Sequence, residues 1–140
     1  MDGLSAAASV IAVIDISAKI ASLCFRYSTE VKNAKKDIEL IQTKVTDIKD
    51  ILERVKRLLE GPNRPRLPAT HELWNSLQKC LQALQELNVQ LDPGKTRKAM
   101  SRIGMRALKW PFTSKEVEKM VVCLERYKQT FSLALQVDQT

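Results

Sequence analysis

The most constraining feature of this chain is a long series of apolar residues spaced alternately three and four positions apart. The members of the series are Val31, Ala34, Ile38, Ile41, Val45, Ile48, Leu52, Val55 and Leu59. This spacing places all of their side chains on one face of an α-helix, in the pattern of a coiled-coil seam. It predicts a helix from Thr29 to about Glu60, which the dipeptide Gly61-Pro62 would end.

Three other segments show helical patterns. Residues from Leu4 to Tyr27 are rich in Ala, Ile, Leu and Ser and contain neither Gly nor Pro, which favours a first helix. Two more helices are predicted, from about Thr70 to Leu91 and from Ser114 to about Gln136. The seam of the former is Leu73, Leu77, Cys80, Leu84, Leu87 and Leu91. The seam of the latter is Val117, Met120, Leu124, Tyr127, Phe131 and Ala134.

The start of the last helix carries two further signals. Thr113 and Glu116 have the spacing of a capping box, in which each side chain bonds the backbone N–H of the other residue. Phe112 and Val117 lie on either side of the cap, at the positions of a hydrophobic staple. Both signals predict that the helix begins directly after Thr113.

These patterns predict the fold class. The two-residue alternation of a β-strand appears nowhere, and 140 residues is the length of one domain. We therefore expect a single all-α domain over residues 1–140, an up-and-down bundle of about four long helices. A short basic amphipathic segment, from Lys95 to Trp110, would precede the last helix. The seams predict one shared core that contains Ile41, Ile48, Leu77, Leu84, Leu124 and Phe131.

Residues with catalytic or metal-binding chemistry are few and scattered. His71 is the only histidine, and no constellation of nucleophile and base surrounds it in the sequence. Cys24, Cys80 and Cys123 are widely spaced, which matches neither a zinc site nor a disulfide framework. We expect a non-enzymatic protein without cofactor or metal, with buried thiols in a reducing cytosol.

The first predicted helix is the first candidate functional feature. No residue from Gly3 to Ile14 is charged, and Asp15 and Lys19 are the only charges as far as Phe25. A helix that is apolar nearly all round is either buried inside a bundle or directed at lipid. Both interpretations hold if the helix is buried first and released later. The candidate membrane-inserting residues are Leu4, Val10, Ile11, Val13, Ile14, Ile16 and Ile20.

The second candidate feature is a basic strip that supplies six of the seven net positive charges. Its residues are Lys95, Arg97, Lys98, Arg102, Arg106 and Lys109. Basic residues opposite apolar ones at helical spacing suit anionic lipid headgroups. The alternative is a solvated connecting segment. Nucleic acid is the third option, but the polar and stacking groups that read bases are missing apart from Trp110.

Several segments resemble a known family. They are the opening from Met1 to Ile14, the motif Leu108-Lys109-Trp110-Pro111-Phe112, and the stretches Glu116-Val117-Glu118-Lys119 and Leu124-Glu125-Arg126-Tyr127. They resemble the fungal HeLo-like N-terminal domains. That family is similar to the HeLo domain of fungal incompatibility proteins and to the four-helix bundle of the mixed-lineage kinase domain-like protein. Its members commonly precede a NACHT or NB-ARC nucleotide-binding module in NOD-like receptors.

The resemblance implies a function in fungal innate immunity and heterokaryon incompatibility. It implies a cytoplasmic domain that self-associates, moves to the plasma membrane and causes programmed cell death. The helix that attacks the membrane would be the one from Leu4 to about Phe25. The alternative is a helical adaptor or oligomerisation module that serves receptor signalling and never touches lipid.

Overall fold

The computed structural model describes residues 3–60, 70–92 and 109–139, with side chains for residues 7–60, 72–92 and 109–136. It contains four helices, α1 (Gly3–Glu30), α2 (Lys35–Glu60), α3 (Thr70–Leu91) and α4 (Ser114–Gln139). The described residues include no β-strand. The all-α prediction is therefore confirmed. Residues 95–108 of the predicted amphipathic segment lie outside the described residues.

The boundary between the first two helices differs from the prediction. The first helix was expected to end near Tyr27, but α1 continues to Glu30, and α2 begins at Lys35 rather than Thr29. The intervening residues 31–34 reverse the chain, although they contain neither Gly nor Pro. Val31 and Ala34 still pack against the core. A seam pattern cannot reveal this turn, because both residues keep their apolar spacing while the backbone leaves the helix.

The bundle has a definite order of neighbours. α1 packs against α2 and α3, and α4 packs against the same two helices. Gln78 of α3 contacts Ser9 near the start of α1, and Leu91 at the end of α3 contacts Tyr27 near the end of α1. These two contacts show that α1 and α3 run side by side in the same direction. The short turn after α1 makes α2 run in the opposite direction.

Ion pairs fix α4 alongside α2. Lys44 Nζ lies 2.6 Å from Glu125 Oε2, and Lys128 Nζ lies 3.3 Å from Asp47 Oδ2. Both pairs advance together along the two helices, so α2 and α4 are also parallel neighbours. The hydrogen bond from Lys44 holds the pKa of the Glu125 carboxyl below its usual value. Successive helices alternate in direction, as expected of an up-and-down bundle.

The core joins the apolar faces of all four helices. Ile41, Ile48, Leu77 and Phe131 are fully buried, and Leu84 and Leu124 lie in the same cluster. The predicted shared core is therefore confirmed. The seam of α2 is buried from Ile38 to Val55, while Leu59 is only partly buried.

The predicted N-terminal cap of α4 is present. Thr113 N donates to Glu116 Oε1 at 2.9 Å, and Glu116 N donates to Thr113 Oγ1 at 3.2 Å. These bonds satisfy backbone donors that the first helical turn would otherwise leave unpaired. Hydrogen bonding to the Thr113 backbone, and then to its side chain, lowers the pKa of Glu116. Phe112 packs against the cluster that contains Val117, as a hydrophobic staple requires.

Candidate functional site

α1 combines membrane-spanning length with incomplete burial. Residues Ala7–Glu30 of α1 are long and apolar enough to cross a membrane, by length and composition alone. About 33% of the most apolar window of this helix is buried inside the bundle. α1 is therefore neither enclosed by the other helices nor detached from them. It lies at one corner of the bundle with one face in the core.

The candidate membrane-inserting residues fall on different sides of α1. Val10, Val13 and Ile20 are fully buried, and Ile14 and Ile16 are partly buried against the core. Ile11 points outward and is 39% exposed. The side chain of Leu4 lies outside the described residues. In this conformation, the buried members would have to leave the core before they could contact lipid.

The buried face of α1 is less apolar than the seams of its neighbours. Ser9 and Ser17 lie on it, and Ser17 is fully buried. Gln78 Nε2 donates to Ser9 Oγ at 2.9 Å, while the Ser17 hydroxyl has no hydrogen-bond partner among the described residues. A buried hydroxyl contributes no hydrophobic stabilisation and costs free energy when it is unpaired. The contact of α1 with the bundle is therefore weaker than an all-aliphatic seam would be.

The C-terminal end of α1 is held by an aromatic cluster. Tyr27 is fully buried, and its hydroxyl donates to the Leu91 carbonyl oxygen at 2.9 Å. The Tyr27 and Trp110 rings meet edge to face, with centroids 5.3 Å apart. Phe112 continues the stack, with its ring centroid 5.2 Å from that of Trp110. The cluster joins the ends of α1 and α3 to the residues that lead into α4.

Sequence reasoning missed this cluster. Trp110 was predicted as the last residue of the basic amphipathic segment, whereas the structure places it in the core at 6% exposure. The available signal was the spacing of Tyr27, three residues after Cys24 on the buried face of α1. Spacing alone does not identify the partner of a buried aromatic ring. The Lys109-to-Phe112 motif thus has a structural role at the end of the bundle.

Replacing Tyr27 with Phe tests the strength of this attachment. The change keeps the ring but leaves the Leu91 carbonyl without the phenol donor. We expect a loss of about 1–3 kcal/mol in the free energy of unfolding, because an unpaired buried acceptor pays its desolvation cost. Urea unfolding measures the difference. Tyr127→Phe, on a half-buried tyrosine of α4, is the control, and an equal loss in both variants would contradict the assignment.

The basic strip is described only at its end. Lys109 is exposed and directly precedes the buried Trp110. Lys95, Arg97, Lys98, Arg102 and Arg106 lie outside the described residues. Because Trp110 is anchored in the core, Lys109 is held at the same end of the bundle as Tyr27.

The three cysteines are free thiols with different environments. Cys24 and Cys80 are buried, whereas Cys123 is exposed. Burial raises the pKa of Cys24 and of Cys80 to about 12, so both thiols stay protonated and unreactive near neutral pH. The expectation of buried thiols is wrong for Cys123, which was not part of the α4 seam. Among the described residues, no group of His, Cys, Asp or Glu side chains could hold a metal ion.

Comparison with protein families identifies the chain. A family model described as "Pigment biosynthesis cluster protein PigL N-terminal" matches residues 1–138. Searches of curated proteins and of solved structures give no match. The matched range covers the first three helices, the segments between the helices and all of α4 except its last residue, Gln139. The chain therefore belongs to the PigL N-terminal family of pigment biosynthesis cluster proteins, a fungal N-terminal domain family.

Proposed function

We propose that this chain is the N-terminal effector domain of a fungal NOD-like receptor and causes cell death by inserting α1 into the plasma membrane. The observation that carries the proposal is that α1, a helix of membrane-spanning length, is only about 33% buried over its most apolar window and keeps Ile11 and Phe25 exposed on its outer side. The resemblance to HeLo-like domains points to the same function. A nucleotide-binding NACHT or NB-ARC module elsewhere in the receptor would control the domain.

The energetics of insertion favour release of α1 as part of an assembly. Apolar side chains that leave the core for lipid stay out of water, so their transfer costs little. Phe25, which is 63% exposed, would gain an apolar environment. Asp15 and Lys19 lie near the middle of α1, where each charge costs roughly 2.5–3.5 kcal/mol on insertion scales. Self-association offsets this cost when opposite charges from neighbouring helices meet.

The basic strip supplies the attraction to the membrane surface. Each Lys or Arg near an acidic bilayer contributes about 1 kcal/mol of binding free energy. Lys109 is exposed at the end of the bundle where α1 is attached through Tyr27. Binding of the strip to anionic headgroups would bring that end of α1 to the bilayer, and cytoplasmic protein would accumulate at the plasma membrane.

Dye release from acidic vesicles tests the role of α1. In a variant with Ile11→Ser and Ile14→Ser, the apolar run is interrupted on neighbouring turns, while each hydroxyl can bond back to the helix. We expect a folded protein that releases little dye and does not kill yeast. The control is Val122→Ser with Leu133→Ser, which alters two exposed apolar residues of α4. Full toxicity of a folded chain that lacks the first 20 residues would contradict the proposal.

Charge reversal in the strip tests lipid binding separately. A variant with Arg102, Arg106 and Lys109 changed to Glu should no longer sediment with acidic vesicles, although its helical content is unchanged. Lys32, Lys35 and Lys36 are exposed around the start of α2, and their reversal to Glu is a control with the same change in net charge. Binding of the wild type should weaken as salt rises. Equal vesicle binding by the two variants would show that the strip is only a solvated connector.

A non-membrane adaptor is the second candidate function, and an apolar groove favours it. The groove lies between α3 and α4 and has a volume of about 170 Å³. Its lining is mostly apolar and includes Ala83, Leu87, Met120 and Leu124. A groove of this volume can accept an apolar side chain from a helix of another protein. Co-sedimentation with vesicles separates the two functions, because an adaptor would bind neither acidic nor neutral vesicles.

A further inference from the structure

The outer side of α1 carries a second regular series of residues. Its members are Ala8, Ile11, Asp15, Ala18, Ser22, Phe25 and Thr29, and all seven are exposed. They follow one another in alternating steps of three and four, as do the buried residues on the opposite side. α1 therefore has coiled-coil spacing on both sides, and only one side faces the bundle. The seven exposed residues are called the outer series below.

The outer series is unusual for the solvent side of a bundle helix. Outward positions normally carry charged side chains, and on α2 they include Lys36, Glu39, Asp50, Arg54 and Arg57. The outer series instead contains two large apolar residues, Ile11 and Phe25, and one charged residue, Asp15. From Ala8 to Thr29 it extends for about 32 Å along the helix. This is a continuous surface with few charges and with the geometry of a helix–helix contact.

We infer that the outer series pairs with the outer series of a second copy of this chain, with the two α1 helices antiparallel. Centring the pair between Asp15 and Ala18 sets each large side chain against a small one. Phe25 of one copy lies across Ala8 of the other, and Ile11 lies across Ser22. Setting large side chains against small ones lets the two helix faces interdigitate closely. The contact is isologous, so every interaction occurs twice.

Charge complementarity favours the same antiparallel arrangement of the two α1 helices. Asp15 lies across from Ala18 of the second copy and beside its exposed Lys19, which gives two symmetric Asp–Lys contacts. A parallel pair in register would instead set Asp15 against Asp15 and Phe25 against Phe25. The outer series is complementary to itself in side-chain size and in charge, which identifies a second copy as its partner. Binding to a lipid surface would require neither kind of complementarity. The pairing occurs in solution and does not depend on membrane insertion.

Sedimentation equilibrium with charge swaps tests the inference. The mass of the wild-type chain is expected to rise with concentration towards twice 15.9 kDa. Asp15→Lys and Lys19→Asp should each be monomeric, because each places four like charges together. An equimolar mixture of the two variants should dimerise, since every contact then joins opposite charges. The double variant, with both substitutions in one chain, should also dimerise.

A matched control uses the ion pair of Lys49 and Glu53 on α2, which has the same i,i+4 spacing and an Nζ–Oε1 distance of 3.6 Å. Lys49→Glu and Glu53→Lys should leave the dimer intact. A monomeric wild type at all concentrations would overturn the inference, as would dimers that survive both single swaps at positions 15 and 19. Failure of the mixed variants to associate would overturn it too. If the wild type is monomeric and the swaps alter only vesicle binding, the outer series is a lipid surface.

Discussion

Replacing Ile48 with Asp is expected to abolish the cooperative unfolding of the bundle. Ile48 is fully buried at the middle of α2, which packs against both α1 and α4. Loss of a buried isoleucine side chain costs about 2–5 kcal/mol, and an unpaired carboxylate in its place adds a desolvation cost of several more. The total approaches the whole stability of a domain of this size, roughly 5–15 kcal/mol.

Leu40→Asp is the matched control, because it introduces the same side chain into the same helix. Leu40 is 42% exposed, so the carboxylate stays hydrated and the expected change is within about 0.5 kcal/mol. Thermal melts followed by circular dichroism measure both variants. Similar melting temperatures for Ile48→Asp and the wild type would refute the assignment of this seam to the core.

Locking α1 to α3 is expected to stop membrane permeabilisation without unfolding the protein. Ser9 and Gln78 are suitable sites, since their side chains already meet across the two helices at 2.9 Å. Both are changed to Cys in a Cys123→Ser background and joined with a reducible bismaleimide. We expect dye release close to that of vesicles without protein, and recovery after reduction. Cys24 and Cys80 are fully buried and their thiols have a pKa of about 12, whereas position 9 is 8% exposed beside the exposed Gln78, so the reagent reacts at the introduced pair.

A second cross-link controls for general rigidity. Lys44→Cys and Glu125→Cys join α2 to α4, where the original charged atoms lie 2.6 Å apart, and leave α1 free. This protein should still release dye in its cross-linked form. Undiminished release from the α1–α3 cross-linked protein would show that α1 acts without leaving the bundle. Dye release that is lost with both cross-links would show that movement of the whole bundle, and not of α1 alone, is needed.

Local chemistry explains why much of the fold was predictable. The seams of α2 and α3 identified Ile48 and Leu77 as core residues, because a regular apolar spacing leaves only one side of a helix to bury. The bonds between Thr113 and Glu116 were predictable for a similar reason, since both partners lie within one turn. The absence of any charged residue from Gly3 to Ile14 marked α1 as exceptional. The resemblance of the chain to HeLo-like domains stays a prediction, whereas its membership of the PigL N-terminal family is demonstrated.

The remaining features depend on contacts between residues far apart in the chain. The turn at residues 31–34 has no Gly or Pro, and with a connection of only four residues α1 and α2 can pack their apolar faces together only when antiparallel. The contacts of Tyr27 with Leu91 and Trp110 form only because the ends of these helices lie together in the bundle.

The sequence by itself determined four helices, the buried faces of α2, α3 and α4, the cap of α4 and the unusual apolarity of α1. Each of these follows from interactions within a few residues along the chain. The tertiary structure alone decided that α1 lies at a corner of the bundle, beside a parallel α3, with Ile11 and Phe25 turned outward. Periodicity shows which side of a helix is apolar, but the neighbours of each helix depend on how all four faces pack together.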